Sequence, residues 1–250
     1  MALAQNGYSV IFDASRLKTY RIGDSRRTLD LRNDASGALI ADFCGWYDAN
    51  IEPIDGGIYD DWAHAVRKIV GSAWEYSNHS AANAVDLNAT QHPLGLRWTF
   101  KAWQYAKLRW ALRFRYRGCI RHGIDYHDRP DEMHAEIVAG LEKCAAALRR
   151  VRRREIRKRR AKLPKLYYGN LLVAVKQGQR NNRNVRLLQR ALRSEGYKGI
   201  EVTGRWRPDD AEALKQFERK ELKRPHPDGE PGPASVRALG RNRYRIRGLK

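Results

Sequence analysis

Residues 77–95 read SNHSAANAVDLNATQHPLG and residues 123–137 read GIDYHDRPDEMHAEI, and these two stretches decide how the first half of the chain is organised. In the first, the alternation of NAVDLN marks a short strand, and HPLG is a turn. His79 and Asp86 lie seven apart, so a loop histidine and an aspartate on the ensuing strand can converge on one point. In the second, Asp131 lies three before His134, in a tight loop that enters a strand. The stretch MHAEIVAGLEKCAAAL starts extended and becomes helical. Two imidazoles and one carboxylate are the donor set of a catalytic zinc centre, with three protein ligands and an open fourth position. A further carboxylate beside such a centre is a candidate general base.

Outward from these stretches, SGALIADFCGWYDAN has helical spacing, NIEPI is extended, and Gly56 and Gly57 mark a turn. DDWAHAVRKIV alternates enough for a strand, with a helix as the alternative. RWTFKAWQYAKLRWALRFRYR is an aromatic-rich amphipathic helix. The first 30 residues show no clear pattern. Short strands mixed with helices give an α+β fold class: a short antiparallel sheet with flanking helices.

Charge divides the chain. Residues 1–144 hold 18 Lys and Arg against 18 Asp and Glu, whereas residues 145–162 hold 10 against 1 and residues 163–250 hold 21 against 9. The whole formal charge of +21 therefore lies in the C-terminal part, which points toward a polyanionic partner. ALRRVRRREIRKRRAKLP continues the preceding helix and ends at Pro164. It reads as a solvated helical linker, or as an electrostatic anchor for nucleic acid, anionic lipid or anionic wall polymer.

Beyond it, NVRLLQRALRSEGY, DDAEALKQFERKEL and ASVRALG are three helical patterns separated by Gly/Pro turns, and no strand is demanded. Val185, Leu188 and Leu192 form one stripe, and Ala213, Leu214 and Phe217 another, as in a small helical core. The expected divisions are residues 1–144 (motif core 45–140), a basic helical linker at 145–165, and an all-α three-helix module at 166–250 (core 180–240).

S-x-H-x(6)-D followed by D-x-x-H resembles the zinc peptidases of the D-alanyl-D-alanine carboxypeptidase type, which include vancomycin-resistance-type D,D-carboxypeptidases and the L-alanyl-D-glutamate endopeptidases of phage endolysins. The similarity is greatest to the phage-lysin branch and covers roughly residues 45–140. It implies that His79, Asp86 and His134 bind Zn²⁺, that Asp131 is the general base toward zinc-activated water, and that Arg67 in AVRKIVGSA steadies the developing oxyanion. Glu136 is a candidate partner behind the metal ligands, with a plain strand carboxylate as the alternative. His122 and His127 are read as surface histidines or, less readily, as cleft-lining. No role is assigned to His64, His92 or His226. Where the family carries a glycine three after the first ligand, this chain has Ala82, which implies a rebuilt loop. Where the family carries an aromatic after the second histidine, it has Ala135, which implies a more open pocket.

The C-terminal pattern resembles the peptidoglycan-binding-domain-1 type. It is carried by Val185, Leu188, Gln189 and Leu192, by Gly204 and Trp206, by Ala213, Leu214 and Phe217, and by Asp228, Gly229, Gly232, Ser235 and Leu239. Asp210 stands for the usual Thr and Glu218 for the usual Gln. The two resemblances together imply a phage endolysin that cuts a stem-peptide or cross-link amide of peptidoglycan and holds the wall, with anionic wall polymers as a further candidate partner; a monomer is expected. No specific nucleic acid is expected as a partner. The competing class is a non-enzymatic basic protein that binds nucleic acid or wall polymer.

Some classes are excluded. Cys44, Cys119 and Cys144 are odd in number and widely spaced, so neither a disulfide scaffold nor a cysteine zinc knuckle fits. No apolar run approaches the roughly 18 residues of a membrane span. With no secretory signal visible, the expected location is the host cytoplasm until lysis and then the cell wall.

Overall fold

The computed structural model describes residues 1–54, 60–69 and 71–249. The turn expected at Gly56 and Gly57 lies outside the described residues, as does Val70. Two compact units divide the chain, Met1–Arg153 and Arg154–Lys250. The architecture is mixed α and β, with seven α-helices and three small sheets among the described residues.

The first unit opens with a hairpin, β1 (Leu17–Arg21) antiparallel to β2 (Thr28–Arg32), in the region where the sequence showed no pattern. Asp34 then caps α1 (Ala35–Asn50), accepting hydrogen bonds from the amides of Ser36 and Gly37. Such a cap is worth about 1 kcal/mol. Leu39, Ile40, Phe43, Cys44 and Tyr47 recur along one face of α1 and are buried in the core of the unit. The helix expected over 97–117 is shorter: α2 spans Ala102–Trp110 and widens into a π-helical turn at Ala111–Arg115. Trp98 adopts a left-handed φ of 64°, which delays the helix start.

The site is organised by three short strands, β3 (Ala84–Asp86), β4 (Ile120–His122) and β5 (His134–Ile137), in the order β3-β5-β4, both pairs antiparallel. Side chains alternate across a strand, and residues directly opposite on paired strands share a face. Asp86 opposes His134, and Glu136 opposes both Ala84 and Arg121. Asp86, His134, Glu136 and Arg121 therefore share one face. Val85, Ala135 and His122 share the other, which packs into the core.

Over its described residues, 60–69, DDWAHAVRKI forms neither a continuous strand nor a helix. Single bridges link Trp62 to Asp86 and Lys68 to Tyr76. Between them its backbone groups go to the loop after it: the Ala65 amide to the His79 carbonyl, the Arg67 amide to Ser80 Oγ, and the Arg67 carbonyl to the Ser77 amide. Helix α3 (Leu141–Lys162) buries Cys144, Ala147, Leu148 and Val151 with the first core. Beyond Val151 its surface is almost wholly charged and largely exposed.

The second unit differs from the expected three-helix, strand-free module. A parallel pair, β6 (Lys165–Tyr167) with β7 (Arg245–Arg247), joins the two ends of the unit. A fourth helix, α4 (Tyr168–Lys176), precedes α5 (Arg183–Ser194), α6 (Pro208–Glu221) and α7 (Pro233–Leu239). Leu166 is fully buried, which gives the strand pair a reason to exist despite its charged neighbours. The core is built from Leu171, Val185, Leu188, Leu192, Leu214, Phe217, Val236 and Leu239.

A buried polar network centred on Gln189 links α5, α6 and the loop between them, whereas Glu218 Oε2 is buried without a hydrogen-bond partner among the described residues. Gln189 Nε2 donates to Asp210 Oδ2 (2.9 Å) and to the Arg205 carbonyl (3.0 Å), while its Oε1 accepts from the Gly204 amide (2.9 Å). Gly204 sits at φ 78°, and a Cβ there would lie 2.7 Å from the Asn182 amide nitrogen, so only glycine fits. Asp210 also accepts from the Arg207 amide (2.9 Å) and closes the start of α6. Glu218 accepts from Ser235 and from Arg224.

Candidate metal centre

The 3₁₀ turn Asn78–Ala81 precedes β3 and carries His79. Ser77 caps it, and it ends at Ala82 with φ 55° and ψ 38°, a left-handed conformation. This is the position where the resemblance expects glycine. Alanine there bears a left-handed strain of roughly 1–2 kcal/mol. Ala135, expected to open the pocket, does not face it: it lies on the core side of β5, fully buried. The alternation that points His134 toward the cleft points its neighbour away.

His79, Asp86 and His134 converge. His79 Nε2 lies 3.2 Å from His134 Nδ1 and 3.3 Å from Asp86 Oδ1, and His134 Nδ1 lies 2.8 Å from Asp86 Oδ1. Tetrahedral zinc with ligand bonds near 2.0–2.1 Å requires ligand–ligand separations of about 3.3 Å. The two separations from His79 Nε2 match that spacing, while the 2.8 Å between His134 Nδ1 and Asp86 Oδ1 is that of a hydrogen bond; the three residues are buried and offer a donor set that could hold a metal ion.

The atoms behind them fix which nitrogen is free. His79 Nδ1 lies 2.5 Å from the Ala63 carbonyl, which can only accept, so Nδ1 carries the proton and Nε2 presents its lone pair. His134 Nε2 lies 3.3 Å from Glu136 Oε2, so it donates there and leaves Nδ1 for a ligand. Glu136 in turn accepts from Tyr126 Oη (2.7 Å), Arg121 Nε (2.7 Å) and Asn78. Asn78, Arg121 and Tyr126 were not singled out by the sequence, although Arg121 is marked by its place opposite Glu136 once the register is known.

Electrostatics follow the geometry. Burial alone would raise Asp86, but the hydrogen bond donated by His134 outweighs it and holds the carboxyl well below the usual carboxylate range. Burial alone would lower His134, but the bonds to Asp86 and Glu136 dominate and hold the imidazolium up to about 10. Glu136 is likewise held far below its ordinary value, despite burial, by His134, Tyr126 and Asn78. In the absence of a cation, a proton on His134 balances this face.

Asp131 and Arg67 line the same cleft, of about 640 Å³, together with the three converging residues, Tyr126 and Glu136. Burial raises the Asp131 carboxyl, only partly offset by His134, and its Oδ1 is buried without a hydrogen-bond partner among the described residues. The Asp131 carbonyl accepts from the His134 amide (3.0 Å), closing the turn between them. Gly123 permits this placement, since a Cβ there would lie 1.6 Å from the Asp131 carbonyl oxygen. Arg67 is half-exposed, with Nη2 3.7 Å from Asp86 Oδ2.

The remaining histidines separate. His122 is neither on the surface nor in the cleft: it is buried beside Phe43 and Phe100, and burial lowers it to about 3, so it is neutral. His127 is exposed and outside the cleft lining. His64 touches the cleft, with Nε2 3.0 Å from the Ile11 carbonyl. His92 is buried, bonded to Glu52 (2.5 Å) and Thr99 (2.7 Å) and stacked on Phe100.

The second unit carries the family match. Residues 181–239 match the family described as "Putative peptidoglycan binding domain". The matched span holds α5, α6 and α7 of the peptidoglycan-binding module, while α4 and the β6–β7 pair flank it. The match supports peptidoglycan as a partner and an association of the chain with the cell wall. No curated protein and no solved structure matches the chain. Among the described residues, no helix is long and apolar enough to cross a membrane.

Proposed function

We propose that the chain is a zinc-dependent peptidoglycan peptidase of endolysin type, with its catalytic centre in the first unit and its wall-binding module in the second. One observation carries the reading: three buried donor atoms 2.8–3.3 Å apart face a cleft that also holds the unpartnered Asp131 carboxylate. His79, Asp86 and His134 would hold the zinc. Bound there, zinc supplies Lewis-acid polarisation of an amide carbonyl and acidifies water.

This chain's residues do the rest. Asp131, kept basic by burial, accepts a proton from the attacking water and returns it to the leaving amine. Arg67 reaches the cleft from its rim and stabilises negative charge on the carbonyl oxygen. Glu136, held by Arg121, Tyr126 and Asn78, fixes the ring of His134, and the Ala63 carbonyl fixes that of His79. The peptidoglycan-binding module raises the local concentration of stem peptide around the cleft.

The test is mass spectrometry of fragments released from purified peptidoglycan, with and without a zinc chelator. A new amine terminus that disappears on chelation is expected and would name the bond cut. Protein carrying stoichiometric zinc that releases nothing from several wall chemotypes would overturn the reading, leaving a wall-binding protein without hydrolytic activity.

A further inference from the structure

The proposed chemistry makes no use of the outward face of α2 and the π-helical turn that continues it. Trp103, Trp110 and Phe114 are 51%, 42% and 48% exposed there. They follow one another at i, i+7 and i+11, which places them in a single stripe. The opposite face, with Tyr105, Leu108, Ala111 and Leu112, is already buried in the core, so the exposed stripe is a second apolar surface of the same helix.

Cations accompany the rings. Residues 101–117 contain six Lys and Arg and no acidic residue. Lys107 Nζ lies 5.6 Å from the Trp103 ring centre, and the Arg113 guanidinium lies 5.3 Å from that of Phe114. Arg115 and Arg109 are taken up by Asp42 (3.0 Å) and Asp125 (2.9 Å). Lys101 at the start of α2, Arg113 in the π-helical turn and Arg117 just after it are exposed.

We propose that this face is a docking surface for an anionic lipid bilayer, with Trp103, Trp110 and Phe114 seated at headgroup level and Lys101, Arg113 and Arg117 against lipid phosphates. The inference stands apart from the peptidase reading. Half-exposed tryptophans flanked by cations are the composition of an interfacial helix face, and the charge is complementary to anionic lipid. Stacked nucleic-acid bases fit less well, because the Trp110 and Phe114 rings contact one another at 6.2 Å and leave no slot between them.

The experiment is flotation of the full chain with vesicles of phosphatidylcholine alone, and of three parts phosphatidylcholine to one part phosphatidylglycerol. Residues 149–162 carry ten Lys and Arg, so charge alone would draw the chain to anionic vesicles. The discriminating variant is therefore W103S/F114S, with R113Q/R117Q beside it. Each is expected to weaken partitioning onto the anionic vesicles about tenfold or more, with the thermal melt unchanged. Vesicle binding by W103S/F114S equal to that of the parent chain would overturn the proposal. So would the absence of binding by the parent, or an aromatic-dependent binding to purified peptidoglycan in place of vesicles.

Discussion

Each unit buries a polar network, one around Gln189 and one around Asp86, and the two networks end differently. In the peptidoglycan-binding module, Gln189 spends its amide on Asp210, Arg205 and Gly204, a closed arrangement that holds α5, α6 and the loop between them in register. In the first unit, Asp86, His134 and His79 converge at the wall of a cleft, and Asp131 beside them keeps a buried oxygen unpartnered. A buried polar group with complete partners costs little and specifies a fold. One with incomplete partners, exposed to a cavity, is poised for a ligand. The same residue types therefore do structural work in one unit and have the arrangement for chemistry in the other.

The largest test of that contrast is Asp131→Asn. Peptide release should fall by about a thousandfold, within the range of a lost general base. Zinc content, read by metal analysis, should stay at one per chain. Loss of zinc would make Asp131 a ligand, and retained activity would remove it from the chemistry.

Next is Gln189→Leu, which strands the buried Gly204 amide and leaves Asp210 with the Arg207 amide alone. It should destabilise the module by about 3 kcal/mol. In the full chain under urea, wall binding should fail at lower denaturant while zinc affinity at the first unit is unchanged. A matching drop in zinc affinity would mean that the two arrangements are not independent.

Glu136→Gln should weaken zinc binding by about 10–100-fold, since it loosens the ring of His134 without removing a ligand. An unchanged affinity would reduce Glu136 to a strand carboxylate.

Zinc binding near pH 7 should release about one proton, that of His134, measurable by calorimetry in buffers of different ionisation enthalpy. In the zinc-free chain the raised His134 contributes full stability below its ordinary 6.5 and loses it as pH rises through about 10. The depressed Asp86 and Glu136 contribute above their ordinary values and lose it on acidification. Zinc-free stability should therefore decline from about pH 6.5 upward, and the zinc-loaded protein should lack that decline.

The smallest effect is expected of Ala82→Gly. Relief of left-handed strain is offset by the freer unfolded chain and the lost buried methyl, leaving a net change within about 1 kcal/mol by thermal melt. A larger loss would show that the Ala82 methyl is a packing element in its own right.

Much of this was legible in residue order. Helix α1, strands β3 and β5, and the turns around them follow from local periodicity and punctuation, which act over a few residues. The candidate ligands were named by type and spacing, and the helical stripes of α5, α6 and α7 by their 3.6-residue period. The β1–β2 hairpin, α4 and the β6–β7 pair were not legible, because their stability comes from contacts with distant segments and leaves no strong local pattern.

The sequence by itself determined the division of charge and the chemistry available at His79, Asp86, Asp131 and His134. The tertiary structure decided which of those residues meet. The antiparallel register sets Asp86 opposite His134 and sends Ala135 and His122 into the core. A one-residue slip would reverse every face, and only long-range pairing fixes the register.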